Sequence, residues 1–258
     1  MNQALQDLIE HRRTTNLFED IIEHRHTTNV FEPNHTISDE QIEHLVHLAT
    51  RAPTSFNLQN WRFLAVRTPE RKAKLRKLAY DQAKVSEAAV TFIVCGQLAD
   101  YSALEGRLAP SVDAGFMSPE LVAGWVGAAK DLYDDKPQMQ RDEAIRSATF
   151  GAGSLLYAAE VDGFGSCPMI GFDPVAVASE FSLLPDEIPV LLVAIGRAAT
   201  NNWPQKNRRP MLGEPTISTR QHHYRETNPP SLRSCRDGRR HRHAQFPARQ
   251  QVCPKDAP

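Results

Sequence analysis

A short polar stretch, APTSFNLQNW at residues 52–61, holds the side chains of this sequence that are best suited to binding a ligand. Helically spaced apolar residues precede it and an extended apolar run follows it, so the pattern predicts a loop between a helix and a strand. Neutral amides and hydroxyls suit the edge of a flat, polar heterocycle such as a flavin or a nucleobase. A solvated loop with capping residues is the alternative. The polar residues are Thr54, Ser55, Asn57, Gln59 and Asn60.

Apolar periodicity on both sides predicts the elements that position this loop. The interval 97–140 is weakly patterned, although residues 120–132 have a helical pattern. A mixture of helices and strands without a G-x-G-x-x-G fingerprint predicts an α+β fold that is not a Rossmann domain. The pattern predicts helices at 42–51, 72–82, 143–161 and 174–183, and strands at 61–66, 88–95 and 189–195.

Local signals support three of these helices. Ser38 and Gln41 form a predicted capping box before the first helix. Asp173 precedes Pro174, which is an N-cap and first-turn signal, so we expect the segment before it to be a loop or a short strand. Gly151 and Gly153 in the long helix would allow close approach by another helix or a ligand.

An internal repeat occupies the start of the chain. The sequence IEHRRTTNLFE at 9–19 returns at 22–32 as IEHRHTTNVFE, with two substitutions. Two copies are too few for a solenoid, so a tandem duplication is the simpler interpretation. Only the second copy leads directly into the capping box. We therefore predict an extra helix or arm at 1–21 and a core domain at 22–217.

Composition limits the class of protein. A chain of 258 residues with 41% hydrophobic residues can bury one large core or two small ones. No apolar run approaches the length of a membrane span, and no signal pattern is present near the N-terminus, so we expect a cytoplasmic protein. Four widely separated cysteines without a C-x-x-C pair predict neither a metal site nor a disulfide framework.

The net charge of −1 conceals two different regions. Residues 218–258 contain nine Lys or Arg and three acidic residues. The first 217 residues contain 21 Lys or Arg and 28 acidic residues. The basic tail is rich in His and Pro and lacks an apolar period, so we predict that it is disordered. A nucleic-acid-binding arm is the less favoured interpretation, because the tail has little aromatic interleaving and no recognised module.

Four segments, taken in order, resemble the nitroreductase family of FMN-dependent NAD(P)H oxidoreductases. They are HRHTTN at 24–29, the polar stretch at 52–61, PMIGFD at 168–173 and KNRRP at 206–210. The resemblance extends from about residue 22 to residue 210. It implies a three-layer α+β sandwich with a central, mainly antiparallel sheet flanked by helices. It also implies an intertwined homodimer with FMN at the interface, in which the helix 143–161 would form part of the dimer core.

The resemblance assigns a phosphate-binding role to residues from both ends of this region. Arg25 and Thr27 would meet the FMN phosphate, joined by Lys206 and Arg208 from the C-terminal side. Cations and hydroxyl donors are the groups that a phosphate dianion requires. Asn29 departs from the family pattern, which usually has Arg or Lys there, so the loss of one cation should weaken FMN binding.

Other residues would contact the flavin itself. Lys84, in the segment LAYDQAK at 78–84, would approach the pyrimidine edge, where negative charge accumulates on reduction. Asp81 stands where relatives often have Asn. The backbone of Ile170 and Gly171 would face the flavin N5. The residues implied along the ribityl chain and ring are Pro53, Thr54, Ser55, Asn57 and Gln59.

The activity implied by the resemblance is ping-pong hydride transfer from NADH or NADPH through FMN to a nitroaromatic, a quinone or a similar acceptor. No side chain is required as a catalytic acid or base, so no catalytic residue is predicted. Two alternatives remain. The FMN scaffold could serve another reaction, such as reductive dehalogenation or flavin fragmentation, or the chain could be a non-catalytic binding protein that uses its basic tail on nucleic acid.

Overall fold

The computed structural model describes residues 17–209 of the chain. The predicted extra arm at 1–21 lies outside the described residues except for its last five positions, which belong to a helix at 17–24 that we label α1. The end of the core domain at 217 and the basic tail at 218–258 also lie outside them.

A four-stranded sheet forms the centre of the fold, and every neighbouring pair of its strands is antiparallel. The strand order is β1-β2-β4-β3, so the two edges are β1 and β3. The register pairs Phe63 with Val94 and Val94 with Leu191, and an irregularity follows at Cys95. The strands are β1 (Trp61–Val66), β2 (Val90–Gln97), β3 (Gly165–Met169) and β4 (Glu187–Gly196).

Helices separate the strands and cover both faces of the sheet. After α1 they are α2 (Asp39–Ala49), α3 (Pro69–Leu78), α4 (Lys84–Glu87), α5 (Leu104–Asp113), α6 (Pro119–Tyr133), α7 (Pro137–Val161) and α8 (Pro174–Glu180). Short 3-10 turns lie at Ser55–Asn57 and Tyr101–Ala103.

Alternation along β2 shows how the layers form. Val90, Phe92 and Val94 belong to the apolar cluster that α2 and α7 contribute to, whereas Ile93 and Cys95 belong to the cluster of α3, α4 and α8. All five are fully buried. Successive side chains of a strand point to opposite faces, so one apolar strand supplies two cores. The result is the predicted three-layer α+β sandwich with an antiparallel sheet.

The helix-start signals are confirmed. The Ser38 hydroxyl accepts a hydrogen bond from the Gln41 amide (3.2 Å), and the Gln41 side chain accepts one from the Ser38 amide (3.0 Å). Asp173 caps α8 by accepting from the amides of Val175 and Ala176. Each satisfies amides that the first helical turn would otherwise leave without partners.

One predicted helix is shorter than expected, and one of two predicted close approaches is seen within the chain. The helix predicted at 72–82 ends at Leu78, because Tyr80 and Asp81 adopt positive φ angles of 53° and 57°. A Cβ at Gly153 would meet no atom of its own chain within 4 Å, so approach by another helix or a ligand there stays a prediction. Gly151 does mark a close approach, because a Cβ would lie 2.9 Å from the Phe63 ring.

Gly96 sets how closely α7 lies on the sheet. A Cβ at Gly96 would overlap the backbone carbonyl of Ala144, which cannot move without shifting α7. We expect Gly96→Ala to lower the free energy of unfolding by about 1–3 kcal/mol, the usual cost of overpacking. Urea unfolding measures this. Gly127→Ala on α6 is the control, since its Cβ meets nothing within 4 Å. It should stabilise by roughly 0.5–1 kcal/mol.

Within residues 17–209, no helix combines the length and the apolar character needed to cross a membrane.

Candidate functional site

The N-terminal motif lies against the C-terminal basic segment. Phe31 and Ala198 form an isolated antiparallel bridge. The Glu32 amide donates to the Arg197 carbonyl (2.9 Å), and the Ala199 amide donates to the Val30 carbonyl (3.0 Å). These bonds connect segments that are more than 160 residues apart in the chain. The family resemblance implied that these two motifs share a site, and the structure brings them together.

Asn202 holds this junction through both the oxygen and the nitrogen of its side-chain amide. Its Oδ1 accepts from the backbone amides of Asn29 (2.7 Å) and Val30 (3.0 Å). Its Nδ2 donates to the carbonyls of Val30 (2.7 Å) and Ala199 (2.8 Å). Gln205 adds a bond from its Nε2 to the Arg25 carbonyl (3.2 Å). The backbone that presents the N-terminal motif is therefore held by residues just before the basic cluster.

A small cavity of about 100 Å³ opens at this junction. Four of the predicted site residues line it: Thr27, Asn29, Lys206 and Arg208. The Lys206 ammonium lies over the Trp203 ring, 5.3 Å from its centroid. This cation–π contact favours a position of the Lys206 side chain close to the cavity. Two cations and a hydroxyl around one cavity are a suitable donor set for a phosphate.

Arg25, the fifth residue predicted for the phosphate, is half-buried, and its Nη1 is buried without a hydrogen-bond partner. Nearby, the buried hydroxyls of Thr28 and Ser166 also lack partners. No ion pair within residues 17–209 involves Arg25, Lys206 or Arg208. Buried polar groups in folded proteins nearly always have partners, and an anionic ligand at this junction would supply one for Arg25.

The edge strand β3 joins the predicted phosphate cluster to the glycine loop at residues 170–173. The phosphate cluster consists of Arg25, Thr27, Asn29, Lys206 and Arg208. Thr27 and Ser166 form a parallel bridge, and the Thr28 amide donates to the Ser166 carbonyl (2.9 Å). Gly165 makes the contact close, because a Cβ there would overlap the Thr28 hydroxyl. Since β3 ends at Met169, the next residues, Ile170 and Gly171, follow directly from the strand that holds the N-terminal motif.

The turn between α3 and α4 packs on the same loop. The Gln82 side chain donates from Nε2 to the Gly171 carbonyl (2.8 Å), and the Asp173 amide donates to the Leu78 carbonyl (2.9 Å). Lys84 lies beside β3: burial raises the pKa of the Cys167 thiol, and the Lys84 side chain partly opposes that rise. Lys84, Ile170 and Gly171 therefore share one region, as predicted.

Asp81 already has a partner within the chain. Its carboxylate accepts a bond from Arg76 Nε (2.7 Å), and Arg76 Nε also lies 3.3 Å from the Asp81 carbonyl. This ion pair closes the turn that ends α3. The contact of Asp81 with a cofactor stays a prediction, and the structure shows its carboxylate engaged in holding the turn.

The polar stretch lies in a different environment. The Ser55 hydroxyl accepts a bond from the Tyr133 hydroxyl (2.8 Å), and the Leu58 carbonyl accepts one from Arg107 Nη1 (2.6 Å). Tyr133 and Arg107 belong to α6 and α5, so these two helices support the loop. Positive φ angles at Phe56, Asn57 and Gln59 give it a compact path.

Residues of the polar stretch already use some of their hydrogen-bond donors and acceptors within the chain. The Thr54 hydroxyl accepts from the Gln59 amide (3.0 Å), and Asn60 is buried and donates to the Gln97 carbonyl (2.9 Å). Within residues 17–209, no hydrogen bond joins the predicted residues 53–59 to the phosphate cluster or to the glycine loop. Within the described residues, the predicted site residues therefore form two groups that no hydrogen bond joins.

The two thiols of the described residues are poor nucleophiles. Burial raises the pKa of Cys95 to about 12, with Glu187 adding to the rise and Arg62 opposing it, and burial also raises the pKa of Cys167. A thiol reacts as its thiolate. Both side chains therefore stay protonated at neutral pH, and the site offers binding groups rather than a cysteine nucleophile.

Sequence reasoning missed several residues that organise the site. Gln82 and Asn202 lie within or beside the predicted motifs, but only their partners reveal what they do. Gln205, directly before the basic cluster, offered the same weak signal. Tyr133 lies one residue beyond the helical pattern at 120–132, and its hydroxyl could not be connected with Ser55 from local sequence.

Asn202 offers a direct test of how the phosphate cluster is held. We expect Asn202→Ala to lower the free energy of unfolding by about 1–3 kcal/mol, because it leaves half-buried backbone groups of residues 29 and 30 without partners. Chemical denaturation measures the change. Asn201→Ala is the matched control, since Asn201 is exposed, and it should alter stability by less than about 0.5 kcal/mol. Equal losses in the two variants would contradict the assignment.

Comparison with known proteins connects this geometry with one family. The model of the family described as "Nitroreductase family" matches residues 22–197. Protein DrgA from Synechocystis is 37% identical over 180 residues, covering 69% of this chain and 81% of DrgA. The provisionally named NAD(P)H nitroreductase YodC from Bacillus subtilis is 31% identical over 180 residues, covering 70% of this chain and 88% of YodC.

A solved structure agrees with these relatives. A crystal structure of an Exiguobacterium sibiricum protein in complex with FMN superimposes with a TM-score of 0.68 at 28% sequence identity. The match covers 74% of this chain and 93% of that one.

Proposed function

The chain belongs to the nitroreductase family, and from this premise we propose that it is an FMN-dependent NAD(P)H oxidoreductase that reduces electron-poor acceptors such as nitroaromatics and quinones. When bound, FMN supplies the redox chemistry, taking a hydride from NAD(P)H and passing it to the acceptor in a ping-pong sequence. The residues of this chain bind and orient that group.

The observation that carries the proposal is the phosphate cluster. Arg25 has a buried guanidinium nitrogen without a partner, and the Thr27 hydroxyl, Lys206 and Arg208 lie at the same junction. These groups would hold the FMN phosphate by charge-assisted hydrogen bonds. Asn29 also lines the cavity, so it would contribute an uncharged donor where relatives usually place a cation.

The glycine loop and the α3–α4 turn would hold the ring. Lys84 would face the pyrimidine edge, where its fixed charge favours the reduced, anionic flavin. The backbone at Ile170 and Gly171 would face N5. Since the Ile170 side chain is 80% exposed, it is free to pack against a ring placed on this surface.

We also propose that two copies of the chain complete each site. The polar stretch at 53–59 is held by α5 and α6 and has no hydrogen bond to the phosphate cluster of its own chain, so a second copy would bring it to the ring. The outer face of α7 supports this. Its exposed apolar side chains, Phe150, Tyr157 and Val161, would be covered in a homodimer.

Purified protein provides the test. We expect a yellow protein whose chromophore, released by denaturation, is FMN. It should oxidise NADH or NADPH when a nitrofuran or a naphthoquinone is supplied, and it should sediment as a dimer. Colourless protein that takes up no added FMN would overturn the proposal, and a flavin-loaded protein that reduces neither acceptor would overturn the substrate class alone.

A further inference from the structure

Gln82 connects the two segments that the proposed function places at the flavin ring. Its Nε2 donates to the Ala79 carbonyl at the end of α3 (3.1 Å) and to the Gly171 carbonyl in the glycine loop (2.8 Å). A primary amide nitrogen has two hydrogens, and both are used here. One side chain therefore ties the loop after β3 to the turn that leads to Lys84.

The backbone position of Gly171 depends on this hydrogen bond more than the positions of residues 170 and 172 do. A Cβ at Gly171 would lie 3.2 Å from Gln82 Nε2, so the absence of a side chain allows the close approach. Ile170 is 80% exposed and cannot anchor the loop by packing. Phe172, on the other side, is buried in the core. The peptide groups on either side of Gly171 are thus held by a turn in which the Phe172 amide donates to the Ile170 carbonyl (3.1 Å), by the buried Phe172 ring and by Gln82.

We propose that Gln82 is a positioning residue for the cofactor: its amide holds the Gly171 backbone in the orientation that the FMN ring requires. This inference rests on the proposed function, since it assumes that the ring lies at Gly171. The essential property is hydrogen-bond donation. Both partners of Gln82 Nε2 are carbonyl oxygens, so position 82 needs a donor and tolerates no second acceptor.

Gln82→Glu tests that property at almost constant shape. An ionised carboxylate would place an acceptor against two carbonyl oxygens, and it would push the loop away from the ring. Protonation restores one O–H donor. Repulsion by the two carbonyls raises the pKa of the introduced carboxyl above its ordinary value of about 4.3. Binding of FMN to this variant should therefore recover as the pH falls.

The experiment is a fluorescence titration of apoprotein with FMN between about pH 5 and pH 8, spanning the raised carboxyl pKa. At the higher pH we expect Gln82→Glu to bind at least about tenfold more weakly than wild type, since a partly buried hydrogen bond is replaced by a repulsive contact. Most of this loss should disappear at the lower pH. Gln82→Leu, with no donor in either form, should stay weak throughout.

Arg208→Ala is the comparison variant that weakens binding through the phosphate. Because the second pKa of a phosphate monoester, about 6, also lies in the titrated range, the affinity of Gln82→Glu is compared with those of wild type and Gln82→Leu at the same pH. Circular dichroism checks that each variant is folded. Wild-type affinity of Gln82→Glu at both ends of the pH range would overturn the inference, as would a loss that does not vary with pH and equals that of Gln82→Leu. Failure of the wild-type protein to bind FMN would overturn the proposed function together with this inference.

Discussion

FMN is expected to be lost from the protein when Lys206 and Arg208 are both replaced by alanine. Each side chain would contribute a charge-assisted hydrogen bond to the phosphate, and such bonds contribute about 1.5–3 kcal/mol. Both residues are exposed, so solvent and salt screen them and the lower value applies. Together they should weaken binding by roughly a hundredfold.

Equilibrium titration of the apoprotein with FMN measures this loss, and the flavin content of the purified protein gives a second reading. Arg209→Ala is the matched control. It removes the same charge from the adjacent position, which is exposed and does not line the cavity. It should reduce the affinity by less than about threefold. An FMN affinity of the double variant within about threefold of wild type would place the phosphate elsewhere.

The elements with strong local signals were predictable from the sequence. The capping box before α2 needs only Ser38 and Gln41, and the strand at 61–66 has the bounds that the apolar run indicated. The antiparallel α+β sandwich is confirmed as well. These features follow from hydrogen bonds and side-chain alternation between residues that are close in sequence.

Elements stabilised by distant contacts were missed or shortened. Helix α5 contains Gly106 and Pro110, which are poor helix formers, so its pattern is weak. Its Leu104 and Leu108 are buried against Leu58, which belongs to the polar stretch. The first turn of α7, from Pro137, is polar and offers no apolar period. Tertiary packing decides these segments, and local patterns do not show it.

The candidate site shows the same division. Residue types predicted the chemistry of the phosphate cluster, and the resemblance predicted which residues would meet. The residues that hold them were not predictable, because Asn202 and Gln82 act through bonds to partners as far as 173 and 89 positions away. The polar stretch predicted neutral donors and acceptors, and local sequence could not show that the Ser55 and Thr54 hydroxyls each accept one bond, from Tyr133 and Gln59, which leaves their O–H groups to donate.

The largest loss of stability is expected from Arg62→Ala. The Glu187 side chain is 0% exposed, and Arg62 Nη1 donates to both of its oxygens at 3.0 and 2.8 Å. Without Arg62 the carboxylate would keep one bond, from the Leu184 amide (2.8 Å). Breaking one partner of a buried pair costs about 3–5 kcal/mol. The Arg62 side chain is itself 42% exposed, so water should enter the space that it leaves. Hydration of Glu187 should then keep the loss of stability near the lower end of this range.

Urea unfolding of Arg62→Ala and of two further variants separates burial from simple charge loss. Lys74→Ala breaks the pair with Glu180, in which the two side chains are 61% and 37% exposed, and it should cost at most about 1 kcal/mol. The double variant Arg62→Leu/Glu187→Leu removes both charges and should be more stable than Arg62→Ala, because no unpaired carboxylate stays buried. A loss in Arg62→Ala no larger than in Lys74→Ala would mean that water reaches Glu187 easily. The three-strand junction of β1, β2 and β4 would then depend on its apolar contacts alone.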